Sequence, residues 1–436
     1  MSSEWGLHAL EELTDGTPIT YGVVKPGDES DDGVAFIRGG DIVAGRILVD
    51  QLRTITREVS AQYSRTLLRG GELLISLVGN PGEVAIASPE LAGANIARQV
   101  GLIRIAPEKA EKNYIQYFLR SKVGRDILLA HSRGSVQQVI NLKELKSVKI
   151  PLPPKSVQKK IADFMQALDD RIVLLRETNA TLEAIAQAMF KSWFVDFDPV
   201  HAKQQGRAPE GMSEATAALF PDRFEESGLG LVPRGWRFGK VADIGEVICG
   251  KTPPTSEAEN YGDDVPFITI PDMHNFLVIT STSRSLSILG ANTQKKKTLP
   301  VGSICVSCIA TAGLVARVTT PSQTNQQINS VVPLANWGKS FPLFTLRRIG
   351  DAVRAGGSGG SVFHNLNKSG FEQLKVLFPS EQLALAFSEI IEPAIEKIIA
   401  NQQQAQTLAT LRDTLLPRLI SGQLRLPQAE AAREEA

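Results

Sequence analysis

The chain has few cysteines and no long apolar run. Among its 436 residues there are three cysteines, Cys249, Cys305 and Cys308. Three thiols cannot all pair, which excludes a disulfide scaffold and fits a reducing compartment. No run approaches the roughly 18 apolar residues of a membrane span, and the N-terminal stretch MSSEWGLHALEELTDG has no apolar signal core. The sequence therefore predicts a cytoplasmic protein without a membrane segment.

Catalytic and metal-binding patterns are scarce too. The sequence has no Asn/Asp-Pro-Pro-aromatic motif and no glycine-rich cofactor loop of an adenine methyltransferase, and PDRFEE (221–226) lacks the lysine of a PD…(D/E)xK nuclease. The five histidines have no metal-ligand spacing; they are His8, His131, His201, His274 and His364. We therefore predict no catalytic residue and no metal site, and a binding function is favoured.

Net charge gives no simple indication of a partner. The chain has 47 Lys and Arg against 47 Asp and Glu. Residues 1–150 are balanced, whereas residues 236–379 contain 14 basic against 9 acidic residues, a net charge of +5 that includes Lys295–Lys297. The Lys295–Lys297 run indicates either a phosphate contact or a solvated loop.

An internal duplication organises the chain. VAFIRGGDI (34–42) matches VPFITIPDM (265–273), and GGELLISLVGNPGEVAI (70–86) matches VGSICVSCIATAGLVAR (301–317), both at an offset of 231 that also relates Trp5 to Trp236. GSVQQVINLKELKSVKIPLP (134–153) matches GSVFHNLNKSGFEQLKVLFP (360–379) at an offset of 226. One net change of five residues thus aligns two similar halves.

Each half begins with short β-type runs, such as 33–37, 73–78 and 100–105, separated by Gly and Pro turns. Each ends in a long helical pattern, about 156–194 and about 381–420, with a polar middle, RETNAT or NQQQAQT. Such a helix of about 39 residues would be about 58 Å long. We expect the two to pair as an antiparallel coiled coil; the alternative is that each packs on its own half. The apolar seams are Ile161, Phe164, Leu168, Ile172, Leu175, Leu182, Ile185 and Met189, and Phe387, Ile391, Ile395, Ile398, Leu408, Leu411, Leu415 and Leu419.

These patterns predict an α+β fold. It consists of two similar mixed α/β domains separated by two long helices packed as an antiparallel coiled coil, with internal pseudo-twofold symmetry. The predicted boundaries are 1–153 for the first domain, 154–198 for the first long helix, 199–230 for a connector, 231–379 for the second domain, 380–426 for the second long helix and 427–436 for a disordered tail.

Two motifs suggest chemistry that their context disfavours. GEVICGKTPP (245–254) fits the phosphate-loop pattern. Pro253 and Pro254 disfavour the helix that such a loop requires, so a turn is predicted there instead. CVSC (305–308) resembles half a zinc site or a redox pair. At the offset of 231, however, Cys305 and Cys308 correspond to Leu74 and Leu77, which predicts core positions.

The order of parts resembles the specificity subunit of type I restriction–modification systems. The resemblance covers essentially the whole chain and rests on four phrases together: IPLPPKSVQKKIADFMQALDDRI (150–172), LEAIAQAMFKSWFVDFDPV (182–200), LGLVPRGWRFGKVADIGEVICGKTPP (229–254) and LRDTLLPRLISGQL (411–424). PSEQLALAF (379–387) departs from the first copy in lacking its double proline. The resemblance implies that the two domains are target-recognition domains and the two helices the family's conserved helices.

The resemblance also implies partners and cofactors. The chain would be a non-catalytic subunit that reads a bipartite, asymmetric site in double-stranded DNA. It would assemble with two methyltransferase subunits and then with endonuclease/translocase subunits. S-adenosylmethionine would be held by the methyltransferase, and ATP and Mg²⁺ by the endonuclease, with no cofactor on this chain.

Base reading needs Arg, Lys, Asn or Gln side chains that reach the groove edges, whereas phosphate contacts position the protein without specifying sequence. The candidate DNA-binding residues are Arg38, Arg65, Arg133, Gln137 and Gln138 in the first half and Lys295, Lys296, Lys297, Gln326, Arg354 and His364 in the second. For each of these residues a solvent-exposed role without DNA contact is the alternative. For the whole chain the alternatives are a coiled-coil adaptor that does not read DNA and a phosphate-loop nucleotide-binding protein.

Overall fold

The computed structural model describes residues 5–130, 139–228, 230–309, 311–354 and 366–434. It divides the chain into two compact units. Unit 1 consists of residues 1–173 and 405–436, and unit 2 consists of residues 174–404. Each unit therefore combines one half of the duplication with segments of both long helices. Among the described residues, no helix is both long and apolar enough to span a membrane.

Unit 1 is built on two small sheets. The first has the strand order β2-β10-β7-β8, and the second has the order β6-β3-β9, in which β9 runs parallel to β3. Apolar side chains from both sheets, including Ile37, Leu74 and Val100, form one buried cluster. The strands are β1 (Gly6–Ala9), β2 (Thr20–Tyr21), β3 (Val34–Ile37), β4 (Ile42–Val43), β5 (Arg46–Ile47), β6 (Arg53–Ile55), β7 (Leu73–Ser76), β8 (Val84–Ile86), β9 (Asn95–Ile96), β10 (Val100–Ile103) and β11 (Lys149–Leu152). The shorter helices are Arg57–Gln62, Lys112–Arg120, Lys122–Leu129, Leu142–Ser147 and Leu426–Glu434.

Unit 2 repeats this plan. Its larger sheet has the order β15-β22-β19-β20-β17, and its smaller sheet has the order β18-β16-β21 with β21 parallel to β16. The strands are β12 (Phe224–Ser227), β13 (Gly230–Pro233), β14 (Arg237–Lys240), β15 (Gly245–Cys249), β16 (Tyr261–Ile268), β17 (Val278–Ile279), β18 (Ser285–Leu286), β19 (Ile304–Ser307), β20 (Val315–Val318), β21 (Gln323–Thr324), β22 (Ile328–Pro333) and β23 (Lys375–Phe378). The shorter helices are Asp198–Gln204, Glu214–Ala218, Ile288–Asn292, Ser340–Arg354 and Lys368–Glu372.

Most strands of one unit have a counterpart in the other, which confirms the predicted duplication. Strand β7 begins 231 residues before β19, and β8 begins 231 residues before β20. The offset is 228 for β10 and β22, and 226 for β11 and β23. Between β8 and β11 the offset therefore falls from 231 to 226 in two steps, of three and two residues. The first step falls where unit 1 has the 3₁₀ turn Pro89–Leu91 between β8 and β9.

The two long helices are Lys155–Phe194 and Glu381–Ser421, close to the predicted bounds. The first follows Pro154, whose carbonyl accepts hydrogen bonds from the amides of Val157 and Gln158. Ser380 stands at the equivalent place before the second helix, and its hydroxyl accepts a hydrogen bond from the Leu383 amide at 3.3 Å. A serine cap thus replaces the double proline at this helix start.

The predicted antiparallel pairing of the long helices is confirmed in unit 2, and the same two helices also contact each other in unit 1. In unit 1, Arg412 Nη1 lies 2.5 Å from Asp169 Oδ1. In unit 2, Asn401 Nδ2 donates to Asn179 Oδ1 at 2.9 Å, and the ring centroids of Phe190 and Phe387 are 5.7 Å apart. Residue numbers rise along one helix as they fall along the other, which is the antiparallel arrangement.

One seam residue is misplaced in the prediction. Ile185 is 54% exposed, whereas Ala186 and Phe190 are buried in the core of unit 2. The apolar stripe advances by four residues from Leu182 to Ala186 and Phe190, so Ile185 falls outside it. The wrong assignment arose because Ile185 is three residues after Leu182, a spacing that is equally compatible with a helical seam.

The connector packs on unit 2, and the tail is more ordered than expected. Within 199–230, Val200 and Phe220 are buried in unit 2, and the Phe220 ring lies 5.1 Å from that of Trp193. The sequence predicts a disordered tail at 427–436, whereas Leu426–Glu434 is helical. Its Ala429 is fully buried, and the Arg433 guanidinium lies 5.6 Å from the Phe164 ring centroid. This helix is stabilised by packing on the first long helix, which the local composition does not reveal.

Candidate nucleic-acid interface

Each unit contains a glycine loop that lies against a short strand, β9 in unit 1 and β21 in unit 2. The amide of Val23 donates to the carbonyl of Ile96 at 2.8 Å, and the amide of Lys251 donates to the carbonyl of Thr324 at 2.9 Å. A Cβ at Gly22 would lie 1.8 Å from the Ile96 carbonyl oxygen, and one at Gly250 would lie 2.1 Å from that of Asn325. Both loops therefore require glycine because two backbones approach closely. We call residues 22–25 and 250–253 the glycine loops.

This approach also explains the phosphate-loop pattern. Strand β15 ends at Cys249, and residues 251–254 form no helix. A phosphate loop needs a helix that begins at its lysine, with free amides directed at the anion. The Lys251 amide is instead bonded to Thr324. The prediction that this stretch is a turn of a duplicated fold is confirmed.

A second shared segment carries exposed basic residues. In unit 1 the helix Arg57–Gln62 leads into the 3₁₀ turn Ser64–Thr66, and in unit 2 the helix Ile288–Asn292 leads into the 3₁₀ turn Lys295–Lys297. We call these two turns the basic turns. Arg65 and Lys296 occupy the same place at the offset of 231, and both are exposed. Lys295 is exposed as well, and Lys297 is half-buried.

A buried carboxamide ties each basic turn to its sheet. Asn95 on β9 is fully buried; its Nδ2 donates to the Ser60 hydroxyl at 3.2 Å, and its Oδ1 accepts from the Thr66 hydroxyl at 2.7 Å. Gln323 on β21 is also fully buried. Its Nε2 donates at 2.9 Å to both the Ala291 carbonyl and the Thr298 hydroxyl, and its Oε1 accepts from Gln294 at 2.8 Å. The same device thus fixes the position of both basic turns.

The third shared segment is the turn that follows β9 or β21. We call residues 97–99 and 325–327 the post-strand turns; Arg98 in the first corresponds to Gln326 in the second at the offset of 228, and both are exposed. The Arg98 amide donates to the Val23 carbonyl at 2.9 Å. The Thr252 hydroxyl lies 2.6 Å from Gln326 Oε1. Each post-strand turn therefore contacts the glycine loop of its own unit.

Together the glycine loop, basic turn and post-strand turn form what we call the basic surface of a unit. In unit 2, Gln294 Nε2 donates to the Lys251 carbonyl at 2.8 Å, so the glycine loop and basic turn meet directly. The exposed cations are Lys25, Arg65 and Arg98 in unit 1 and Lys251, Lys295 and Lys296 in unit 2. Clustered lysines and arginines on rigid turns suit a phosphate backbone.

The other predicted residues are not part of these three segments or lie outside the described residues. Arg38 forms a two-point contact with Asp41, Nε at 3.1 Å and Nη2 at 2.9 Å, and this hydrogen bonding raises the pKa of Arg38. Thr269 and Asp272 make the equivalent cap in unit 2, so Arg38 has a structural partner. Arg354 ends the helix Ser340–Arg354, but its side chain is outside the described part. Arg133, Gln137, Gln138 and His364 also lie outside the described residues.

The sequence reasoning missed Lys25, Arg98 and Lys251. In the sequence, Lys251 stands out only as the lysine of the phosphate-loop pattern. Arg98 aligns with Gln326 only if the offset between the two halves falls from 231 to 228 before β9. With that change, Arg98 is recognised as a candidate because Gln326 is one. The pair Gly22 and Gly250, which share one steric requirement, aligns at the offset of 228 as well, a signal that more than one offset relates the two halves.

The Cys-x-x-Cys pair belongs to the core, as predicted. Cys305 and Cys308 are buried on or next to β19, where unit 1 has the buried Leu74 and Leu77. Burial raises the pKa of Cys305 to about 12 and that of Cys308 to about 11. Both therefore stay protonated, whereas a metal ligand or reactive nucleophile is a thiolate. Among the described residues no group of three or more His, Cys, Asp or Glu side chains is arranged to hold a metal.

Comparison with known proteins assigns the family. The family model for the type I restriction modification DNA specificity domain matches residues 20–184 and 233–410, once in each half. The type I restriction enzyme HindI specificity subunit of Haemophilus influenzae is 34% identical over 434 residues, covering 90% of this chain and 94% of that protein. The MjaIX specificity subunit of Methanocaldococcus jannaschii is 26% identical, covering 86% of this chain and 83% of that protein.

A solved structure agrees in fold. The crystal structure of a type I restriction–modification S subunit from M. genitalium covers 96% of both chains with a TM-score of 0.56 at 14% identity. At that identity the likeness concerns the fold alone. Two family matches placed on two equivalent units, with a relative above 30% identity along nearly the whole chain, leave one conclusion. The chain belongs to the specificity subunits of type I restriction–modification systems, the non-catalytic subunits that recognise the DNA sequence.

Proposed function

We propose that this chain reads a bipartite, asymmetric duplex target, with each unit contacting one half-site through its basic surface. The observation that carries the proposal is the recurrence of one scaffold with different exposed side chains. The glycine loop, basic turn and post-strand turn recur in both units, whereas Arg65 and Arg98 in unit 1 are replaced by Lys296 and Gln326 in unit 2. A shared scaffold docks on the shared phosphate backbone, and unlike side chains read unlike bases.

The proposal extends to partners and cofactors. The chain would assemble with two methyltransferase subunits, because an internal repeat offers two similar surfaces to identical partners. Endonuclease/translocase subunits would then join this complex. The chain itself would bind no cofactor: the methyltransferase would hold S-adenosylmethionine, and the endonuclease would hold ATP and Mg²⁺.

Binding-site selection tests the proposal. The full chain, reconstituted with its methyltransferase partner, is incubated with a pool of random duplexes at fixed salt, and the bound fraction is sequenced. We expect two short defined blocks, unlike each other and separated by an unread gap of constant length. A single continuous block would contradict the bipartite model, and a folded complex that enriches no sequence would favour the adaptor alternative.

A further inference from the structure

We propose that Arg98 and Gln326 are equivalent base-reading residues, with Arg98 selecting a guanine in one half-site and Gln326 an adenine in the other. This inference rests on the proposed function, since it assigns specificity within the same basic surfaces. Neither residue would catalyse a reaction. Each would determine the preferred base pair at one position of its own half-site.

The equivalence of the two positions follows from strand register. Strand β9 pairs in parallel with β3 through Ile96 and Ile37, and β21 pairs in parallel with β16 through Thr324 and Ile268. Arg98 lies two residues after Ile96, and Gln326 lies two residues after Thr324. The carbonyl of Ile96 accepts a hydrogen bond from the Val23 amide of the glycine loop in unit 1, and the carbonyl of Thr324 accepts one from the Lys251 amide in unit 2. The two side chains therefore start from matching backbone positions.

The backbone beneath both side chains is held firmly. The preceding strand residues Asn95 and Gln323 are fully buried and make several hydrogen bonds each. The glycine loop lies so close that a Cβ at Gly22 or Gly250 would collide with backbone atoms. A base-reading side chain benefits from such a support, because discrimination needs its hydrogen-bonding groups placed within a fraction of an ångström.

The side chains themselves are available to a ligand. Both residues are exposed. In the described part of the chain, the Arg98 side chain has no hydrogen bond or ion pair, in contrast to Arg38, which is held by Asp41. The Thr252 hydroxyl lies 2.6 Å from Gln326 Oε1, and this hydrogen bond orients the Gln326 carboxamide. Oε1 keeps a second lone pair, and Nε2 keeps both of its N–H groups, so the carboxamide can still bind a base.

The chemistry of the two residues gives the bases. A guanidinium pairs with the O6 and N7 acceptors of guanine, and a glutamine carboxamide pairs with the N6 donor and N7 acceptor of adenine. The neighbouring cations, Arg65 and Lys296, lie on a different segment, the basic turn of each unit. The basic turn would thus anchor the backbone while the post-strand turn reads the base.

The reciprocal substitutions Arg98→Gln and Gln326→Arg test this assignment in the reconstituted complex. Each variant is put through binding-site selection, followed by competition between duplexes that differ at one base pair. For Arg98→Gln we expect one position of one half-site to change from guanine to adenine, with a preference of about ten-fold or more. For Gln326→Arg we expect the opposite change at one position of the other half-site only.

Lys296→Gln is the matched control on the neighbouring turn. It should weaken binding to all sequences alike and reduce the slope of log affinity against log salt by about 0.9, as the loss of one phosphate contact does. Arg98→Lys provides a second variant that keeps the charge, and it should bind with reduced discrimination at the same position.

Three results would overturn the assignment. The first is an unchanged base preference in both reciprocal variants, and the second is a uniform loss of affinity like that of Lys296→Gln. The third is a changed preference of both variants in the same half-site. Each would show that these residues do not read bases as proposed. All three differ from failure of the proposed function, in which the wild-type complex itself would select no bipartite target.

Discussion

At the scale of single residues, buried amides explain why an exposed surface is ordered. Asn95 and Gln323 are polar residues in a core position, and each satisfies its hydrogen-bonding groups with the helix and basic turn beside it. The sequence did not single them out, because a buried amide and an exposed one look the same in a sequence. The duplication could have done so, since a carboxamide recurs at offset 228, as Asn95 in β9 and Gln323 in β21.

Replacing Gln323 by leucine should destabilise unit 2. The change removes the hydrogen bonds that Gln323 makes with the Ala291 carbonyl, the Thr298 hydroxyl and Gln294 Nε2. We expect a loss of about 1–3 kcal/mol in the free energy of unfolding. Urea unfolding followed by tryptophan fluorescence measures it, because Trp193, Trp236 and Trp337 all lie in unit 2.

Gln326→Leu is the matched control, since it removes the same group from an exposed position three residues away. It should change the free energy of unfolding by less than about 0.5 kcal/mol. Equal losses in the two variants would show that the buried network contributes nothing specific.

At the scale of elements, the long helices were the best-predicted part of the chain. Their bounds follow from an apolar period that is local and repeated many times, and from Pro154 and Ser380 at their starts. The ion pairs that fasten them to the globular parts could not be predicted. Asp169 contacts Arg120 in unit 1, and Glu392 contacts Arg317 in unit 2 at 2.7 Å, but the two pairs are not at equivalent positions. Pairs of this kind depend on tertiary geometry.

The polar middle of the helix pair contains a buried amide contact. Asn401 is 2% exposed and donates to Asn179, whose own Nδ2 donates to the Ile398 carbonyl at 3.1 Å. We predict that Asn179→Leu alone lowers the free energy of unfolding of the chain by about 1–3 kcal/mol, because the Asn401 amide then stays buried without its partner.

The double variant Asn179→Leu/Asn401→Leu should recover this loss, because two apolar residues pack across the seam where two amides paired. Thermal unfolding of the single and double variants, arranged as a double-mutant cycle, gives the coupling free energy. Strictly additive losses would contradict a direct contact between the two asparagines.

For the molecule as a whole, the sequence predicts the duplication most firmly and the basic surface of each unit least firmly. Long matches such as 70–86 with 301–317 reveal the repeat, and the structure confirms it in both sheets. The basic surface is assembled from three segments that are distant in sequence, and its post-strand turns follow a three-residue change in offset. Only the strand register brings Arg98 and Gln326 into correspondence, which is why Arg98 was missed.

The central claim is that the two units are versions of one reading module, each responsible for one half-site. The most direct measurement replaces residues 237–378 of the second half with residues 6–152 of the first, so that β1 to β11 stand in place of β14 to β23. Binding-site selection with the reconstituted complex should then return an inverted repeat of the first half-site around an unread gap. A folded complex that still selects two unlike half-sites would contradict the account.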